Sequence, residues 1–281
     1  MVENNIDQLI ELGLAEDVRE GDHSALACIP DGIVNKGVIF AKEDGILFGL
    51  DIALKVFQKV DPNLELVCNK KDGDLLKKGD VILQIKGNPQ SILTGERLAL
   101  NFLQRLSGIA STTQRLVEIC QGRCTLLDTR KTTPGYRVLE KAAVKAGGGE
   151  NHRMGLFDMI MLKDNHIDYS GGITAAIQRC KEYLSAQKLD LKIEVEVRDF
   201  DELEEVLSNT GVHRVMLDNF TPEMLKKAVK LIGGRLETEA SGGITESTLA
   251  DFSKTGVNFI SVGALTHSVK SMDFSLLVHA E

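Results

Sequence analysis

The chain has 281 residues, 43% of them hydrophobic and 26% charged, with a formal net charge of −8. That is enough for one large domain, or a small domain beside a larger one, and the acidic balance argues against nucleic acid, whose binders carry a basic face or tail. No apolar run approaches the roughly 20 residues that cross a bilayer, so no membrane partner is expected.

The acidic, amphipathic start lacks the basic and apolar stretches of a signal peptide. Residues 4–17 are predicted as a helix, with Ile6, Leu9, Ile10 and Leu14 at helical spacing. Short strand-like runs follow at Gly37–Lys42, Gly45–Gly49, Leu64–Cys68 and Val81–Lys86, punctuated by turn pairs such as Asp44-Gly45 and Asp72-Gly73. A short helix over Ile52–Val60 interrupts them, and a long one from Ser91 to Leu106 ends near Gly108. The expected first domain is residues 1–107, an α/β sandwich joined by the tail 270–281, which is too short to stand alone.

Beyond Gly108 strands and helices alternate, as a β/α barrel or wound sheet requires. Strands are predicted at Thr125–Leu127, Met159–Leu162, Lys192–Val197, Arg214–Leu217, Leu236–Ala240 and Phe259–Val262. Helices are predicted at 135–146, 173–187, 200–209, 222–232 and 246–254, with Asp199, Thr221 and Thr245 as start signals. The expected second domain is 108–269. The five cysteines, Cys28, Cys68, Cys120, Cys124 and Cys180, include no C-x-x-C pair and read as reduced thiols of a cytoplasmic protein. Cys120 and Cys124 are spaced to share a helix face.

Nearly every strand after residue 120 is followed at once by an unusual polar group: LLD-TRKT, IML-KDNH, VML-DNF, ETEA-SGG and ISV-GALTH. In a β/α barrel the site lies at those strand ends. The cations there are Arg130, Lys131, His152, Arg153 and Lys163, with Arg97 further back on the long helix. Arg forks and mobile Lys charges suit a ligand with several anionic groups. The acidic set is Glu194, Glu196 and Asp218; alternation puts both glutamates on one strand face, where carboxylates need a metal, sugar hydroxyls or a lysine. Ser241-Gly242-Gly243 and Gly263-Ala264 follow the last two barrel strands and suit a phosphate held by backbone N–H groups. His267 either points into that site or caps a helix. His166 reads as a structural hydrogen-bonding residue in preference to a metal ligand, and Asp22 as an N-cap.

These residues together resemble quinolinate phosphoribosyltransferase. The resemblance is carried by EDVREGD, GERLALNFLQRLSGIAS, DTRKTTPGYR, KAGGGENHRMGLFDMIMLKDNHI, EVEV, MLDNF, EASGGIT and SVGALTHS, in order along nearly the whole chain. One departure is GDHS, where relatives tend to have Thr after GD. The resemblance implies an N-terminal α/β sandwich domain, an open irregular α/β barrel of about seven strands, and a homodimer with a shared site to which Arg97 of a second copy contributes. It implies that Arg130, His152, Arg153 and Lys163 line the quinolinate pocket and that Lys131 contacts pyrophosphate. Glu196 and Asp218 would hold the ribose hydroxyls and Mg²⁺, and Ser241, Gly242 and Gly263 the 5′-phosphate, with Gly243, Ala264 and His267 beside them. Quinolinate and phosphoribosyl pyrophosphate are the implied substrates, with Lys131, Lys163, Glu196 and Asp218 the implied catalytic set. The rivals are a nicotinate phosphoribosyltransferase, a non-enzymatic accessory protein of molybdate uptake and a binding protein for phosphorylated metabolites.

Overall fold

The structure, a computed structural model, describes residues 2–279, with side chains described over 6–278. Along the chain come α1 (Val2–Asp17), α2 (His23–Cys28), β1 (Asn35–Ala41), β2 (Gly45–Ile46), α3 (Leu50–Val60), β3 (Glu65–Cys68), β4 (Leu75–Leu76), β5 (Val81–Gly87) and α4 (Pro89–Cys120). Then follow β6 (Thr125–Leu127), α5 (Arg137–Ala146), β7 (Ile160–Leu162), α6 (Asp164–Ser170), α7 (Ile173–Gln187), β8 (Ile193–Val197), α8 (Phe200–Leu207), β9 (Arg214–Asp218) and α9 (Pro222–Ile232). The chain closes with β10 (Glu237–Ser241), α10 (Glu246–Phe252), β11 (Phe259–Ser261), α11 (Ala264–His267) and β12 (Phe274–His279).

The first compact unit gathers residues 1–113, 133–148 and 268–281. Residues 133–148, which the sequence reading assigns to the second domain, group here with the first. The unit's main sheet is antiparallel in the order β12-β1-β5-β3, so the tail strand pairs with β1, Ala41 opposite Phe274. Gly37, Ile39 and Ala41 of β1 are buried and alternate with less buried neighbours, the period-2 signature of a sheet covered on one face. The amphipathic α3 buries Leu50, Ile52, Ala53, Val56 and Phe57. Asp22 caps α2 by accepting the N–H groups of Ser24 and Ala25.

Helix α4 corrects an expectation. It runs 32 residues, through Gly108 and not up to it. Gly108 marks a close approach: a Cβ there would stand 2.4 Å from the Lys270 carbonyl oxygen, and the N–H of Met272 donates to the Gln104 carbonyl. The small residue admits a crossing chain, and the helix continues beneath it. Because α4 ends at Cys120, Cys124 lies beyond it and shares no helix face with Cys120; all five cysteines are free.

The second unit comprises residues 114–132 and 149–267. Its six strands are all parallel, in the order β6-β11-β10-β9-β8-β7, and Glu150 forms a single parallel bridge with Leu127 outside β6. With that bridge the sheet has seven positions, the bridge at one edge and β7 at the other. It is strongly curled. His152 follows the bridge, five strand spacings from β8, which would be about 24 Å in a flat sheet at ~4.8 Å each. Its Nε2 instead lies 3.0 Å from Glu194 on β8. The six-stranded ladder thus folds into an open barrel with a seam between Glu150 and β7.

On β8, Ile193, Val195 and Val197 are buried on one face, while Glu194 and Glu196 occupy the other. Register pairs Glu194 with Arg214 and Glu196 with Met216, then Arg214 with Glu237 and Met216 with Glu239. The interior is therefore layered as in a β/α barrel. Helices after the strands start on observed caps: Asp199 accepts from Glu202 N–H and Thr221 from Met224 N–H.

Candidate active site

The parallel ladder puts all strand C-termini of the second unit at one end, and there a cavity of about 660 Å³ opens. Its walls include Arg130 and Lys131 after β6, His152 and Arg153 after the bridge, and Lys163 after β7. They also include Glu196 of β8, Asp218 of β9, Ser241, Gly242 and Gly243 after β10, and Gly263, Ala264 and His267 after β11. Arg97, exposed on α4 in the first unit, does not line it. His267, left open between two roles by the sequence, faces the cavity. His166 is structural: its Nδ1 accepts the Lys163 N–H at 3.0 Å where α6 begins.

The cationic wall draws its charges close together. Arg153 is shifted down from its ordinary range, by burial first and by the nearby Arg130 second. Its Nη1 donates to the Met159 carbonyl at 3.2 Å. Two guanidinium groups that raise each other's cost, beside Lys131 and Lys163, make a strong anion site. Lys163 is paired with Glu196. A carboxylate that arrived at Lys163 would share it with Glu196 or displace it.

Asp218 ends β9, the strand beside the one that carries Glu196. Burial pushes its carboxyl up, and repulsion from Glu196 adds to this. Asn219 Nδ2 donates to Asp218 Oδ2 at 2.6 Å. A hard divalent cation favours such oxygen donors and would relieve the repulsion, so the pair fits Mg²⁺.

Beside it lies the glycine loop. Gly242 has φ +98°, and a Cβ there would stand 2.2 Å from Asn219 Oδ1 and 2.8 Å from the Asn219 N. Only glycine admits this approach. Asn219 itself sits at φ +57°, a conformation asparagine tolerates better than most residues.

Below the rim is a buried polar set that the sequence disclosed only in part. His152 Nε2 straddles Glu194 Oε2 at 3.0 Å and Glu239 Oε2 at 3.4 Å, too obliquely for a regular hydrogen bond to either. Both carboxylates are fully buried. Burial opposes a charge on His152, but Glu194 and Glu239 outweigh it and push its pKa up to about 9. The second ring proton would have to sit on Nδ1, which already accepts the Arg153 N–H at 2.7 Å. A charged ring would have to give up that bond, so the contact at Nδ1 works against the pull of the two carboxylates. Glu194 is pushed up, by burial first and by Glu239 second. Burial also pushes Glu239 up, but His152, Ser261 and Arg214 outweigh it and hold it down. Glu239 and Asn219 also line the cavity, and the sequence alone does not single them out. In ETEA the glutamates look like ordinary alternating strand residues, and the signal at Asn219 is an asparagine at a strand end, a residue that tolerates a left-handed turn.

Comparison with known proteins agrees along the chain. Residues 22–107 match the family described as quinolinate phosphoribosyl transferase, N-terminal domain, and residues 109–277 match its C-terminal domain. A chloroplastic nicotinate-nucleotide pyrophosphorylase [carboxylating] of Arabidopsis thaliana is 46% identical, over 97% of this chain and 82% of its own. A probable nicotinate-nucleotide pyrophosphorylase [carboxylating] of Bacillus subtilis is 44% identical, over 93% of this chain and 89% of its own. The solved structure of the nicotinate-nucleotide pyrophosphorylase from Francisella tularensis superposes with a TM-score of 0.93 at 40% identity, covering 98% of this chain and 96% of that one.

Proposed function

This chain belongs to the quinolinate phosphoribosyl transferase family, and we propose that the cavity at its barrel strand ends is where quinolinate and phosphoribosyl pyrophosphate are joined. The activity is phosphoribosyl transfer to quinolinate with loss of CO₂, in de novo NAD biosynthesis. The observation that carries the assignment of the site is the convergence of Arg130, Lys131, Arg153 and Lys163 on one cavity in an acidic protein. So many cations suit two carboxylates better than the single one of nicotinate. They equally disfavour an accessory protein without chemistry.

Arg130, Arg153 and Lys163 hold the two quinolinate carboxylates, with His152 behind Arg153 in the cavity wall. Ser241, Gly242 and Gly263 hold the 5′-phosphate, with Gly243, Ala264 and His267 flanking it, by the close backbone approach that glycine permits. Glu196 and Asp218 hold the ribose hydroxyls, and the same two residues would hold Mg²⁺. When bound, the ion supplies positive charge to the departing pyrophosphate. Lys131 supplies more from the protein side.

The pyridine nitrogen uses its lone pair to form a bond to ribose C1 as the bond from C1 to pyrophosphate oxygen breaks. The oxocarbenium-like state is positive, so the carboxylates of Glu196 and Asp218 favour it, while the cations position quinolinate and favour the departing pyrophosphate. The ring nitrogen, now positive, accepts charge when the adjacent C–CO₂ bond breaks. The electron pair left on the ring carbon then takes a proton. No side chain need act as a nucleophile.

We also propose a homodimer in which Arg97, exposed on α4, serves the site of the second copy, and a cytoplasmic setting in keeping with five free cysteines. The test of the function mixes purified protein with quinolinate, phosphoribosyl pyrophosphate and Mg²⁺. Release of CO₂ with nicotinate mononucleotide is expected; turnover of nicotinate in its place would overturn the reading.

A further inference from the structure

The barrel interior holds a buried chain of charges that the steps above do not use. Arg214 Nη1 donates to Glu239 Oε2 at 3.0 Å, and its Nε and Nη2 donate to Glu237 Oε2 at 3.2 and 3.1 Å. Its guanidinium also lies 3.9 Å over the Phe259 ring. From Glu239 the chain passes to His152 Nε2, which Glu194 approaches from β8. On the opposite edge of the ring, Nδ1 accepts the Arg153 backbone N–H. A ring nitrogen that accepts carries no proton, so the single proton of the neutral imidazole is on Nε2, between the two carboxylates. Asp128 anchors the same turn, accepting the His152 N–H at 2.9 Å and the Asn151 amide at 2.6 Å.

We propose that Glu239 is a positioning residue for quinolinate binding: held by Arg214, it fixes His152 as the Nε2–H tautomer, and the ring's Nδ1 then fixes the backbone of Arg153 at the cavity wall. Glu194 supports the same ring edge. The proposal rests on the reading that Arg153 meets a quinolinate carboxylate. The competing use of this trio is a metal site, since His152, Glu194 and Glu239 bring one donor atom each to within 4.8 Å of one another. A metal would take the Nε2 lone pair and put the proton on Nδ1, where the Arg153 N–H stands in its way.

Two measurements test this. Nitrogen-15 NMR of the histidine-labelled full-length protein, with the His152 signals identified by their loss in His152→Asn, reads the tautomer without any substrate. An Nε2–H ring is expected; an Nδ1–H ring or a doubly protonated one at neutral pH overturns the proposal, and the Nδ1–H result would favour a metal. In Glu239→Gln, the quinolinate KM is expected to rise about tenfold while that for phosphoribosyl pyrophosphate stays within about twofold, as for a partner that orients a ligand-binding side chain. Equal changes in both constants, or a loss of stability with neither, overturn it. If Glu239→Gln fails to fold, the spectrum of the unmutated protein still decides. Should quinolinate not be a substrate at all, the functional reading fails while the spectrum tests the tautomer on its own.

Discussion

Lys163, at the end of β7, is paired with Glu196 on β8, although register and strand order would let both face the cavity alone. The pair keeps each charge compensated until substrate arrives. Removing either partner exposes the other, so the two single variants should fail differently. Lys163→Ala is expected to lower kcat/KM for quinolinate by about 100-fold, as loss of one partner of a charge pair costs several kcal/mol. Glu196→Gln should act mainly through the ribose side and raise the KM for phosphoribosyl pyrophosphate. Steady-state kinetics with each substrate varied in turn separates them.

Asp218 and Glu196, on neighbouring strands, repel each other. Chelation of divalent ions should therefore abolish CO₂ release, and added Mg²⁺ should restore it. Asp218→Asn removes the repulsion along with a ligand. It should raise the Mg²⁺ concentration needed for half-maximal rate about tenfold or more, by analogy with other lost carboxylate partners.

Gly242→Ala forces a Cβ to within 2.2 Å of the Asn219 side chain at a positive φ. Either the Asn219 turn moves or the loop does. A destabilisation of about 2 kcal/mol is expected from strain of this kind, seen as a lower thermal midpoint. The KM for phosphoribosyl pyrophosphate should rise with it.

In the first unit, Glu140 is fully buried and accepts from Arg105 at 2.8 Å and from the Thr133 N–H and hydroxyl. Glu140→Ala leaves these donors without their acceptor. A cost of about 3 kcal/mol is expected, measured by denaturant unfolding, with the quinolinate and phosphoribosyl pyrophosphate KM values little changed in the folded fraction.

If Arg97 serves the second copy, Arg97→Ala and Lys163→Ala proteins should each be nearly inactive, yet regain about a quarter of the activity when mixed and allowed to exchange, since half the dimers are hybrid and each restores one site of two. No recovery despite demonstrated exchange would count against a shared site.

Much of this architecture was legible because hydrophobic periodicity and turn chemistry are local. The barrel strands announce themselves as short apolar runs, each closed by a polar residue, and parallel pairing then gathers those residues at one end. What the sequence could not disclose depends on distant partners. Gly108 reads as a stop signal until the chain at Lys270 is seen crossing it. The short helix α6 hides in DNHIDYS, whose polar residues carry no apolar stripe. Glu239 gains its meaning only from His152, which folding brings beside it. Residues 133–148 look like the next step of a βα rhythm, yet α5 packs with the first unit.

The seam of the barrel carries one more consequence. Among the described residues no backbone ladder closes the gap between Glu150 and β7, and the span 151–159 is tied by side chains: Asp158 accepts the Met154 and Gly155 N–H groups, and Arg153 reaches the Met159 carbonyl. Two of the cavity-lining side chains, His152 and Arg153, belong to that span. A ligand gripped there and at Lys163 on the far edge would stitch the two edges together. Closing the cylinder and binding the acid would then be one event, and the enzyme's affinity would include the work of finishing its own fold.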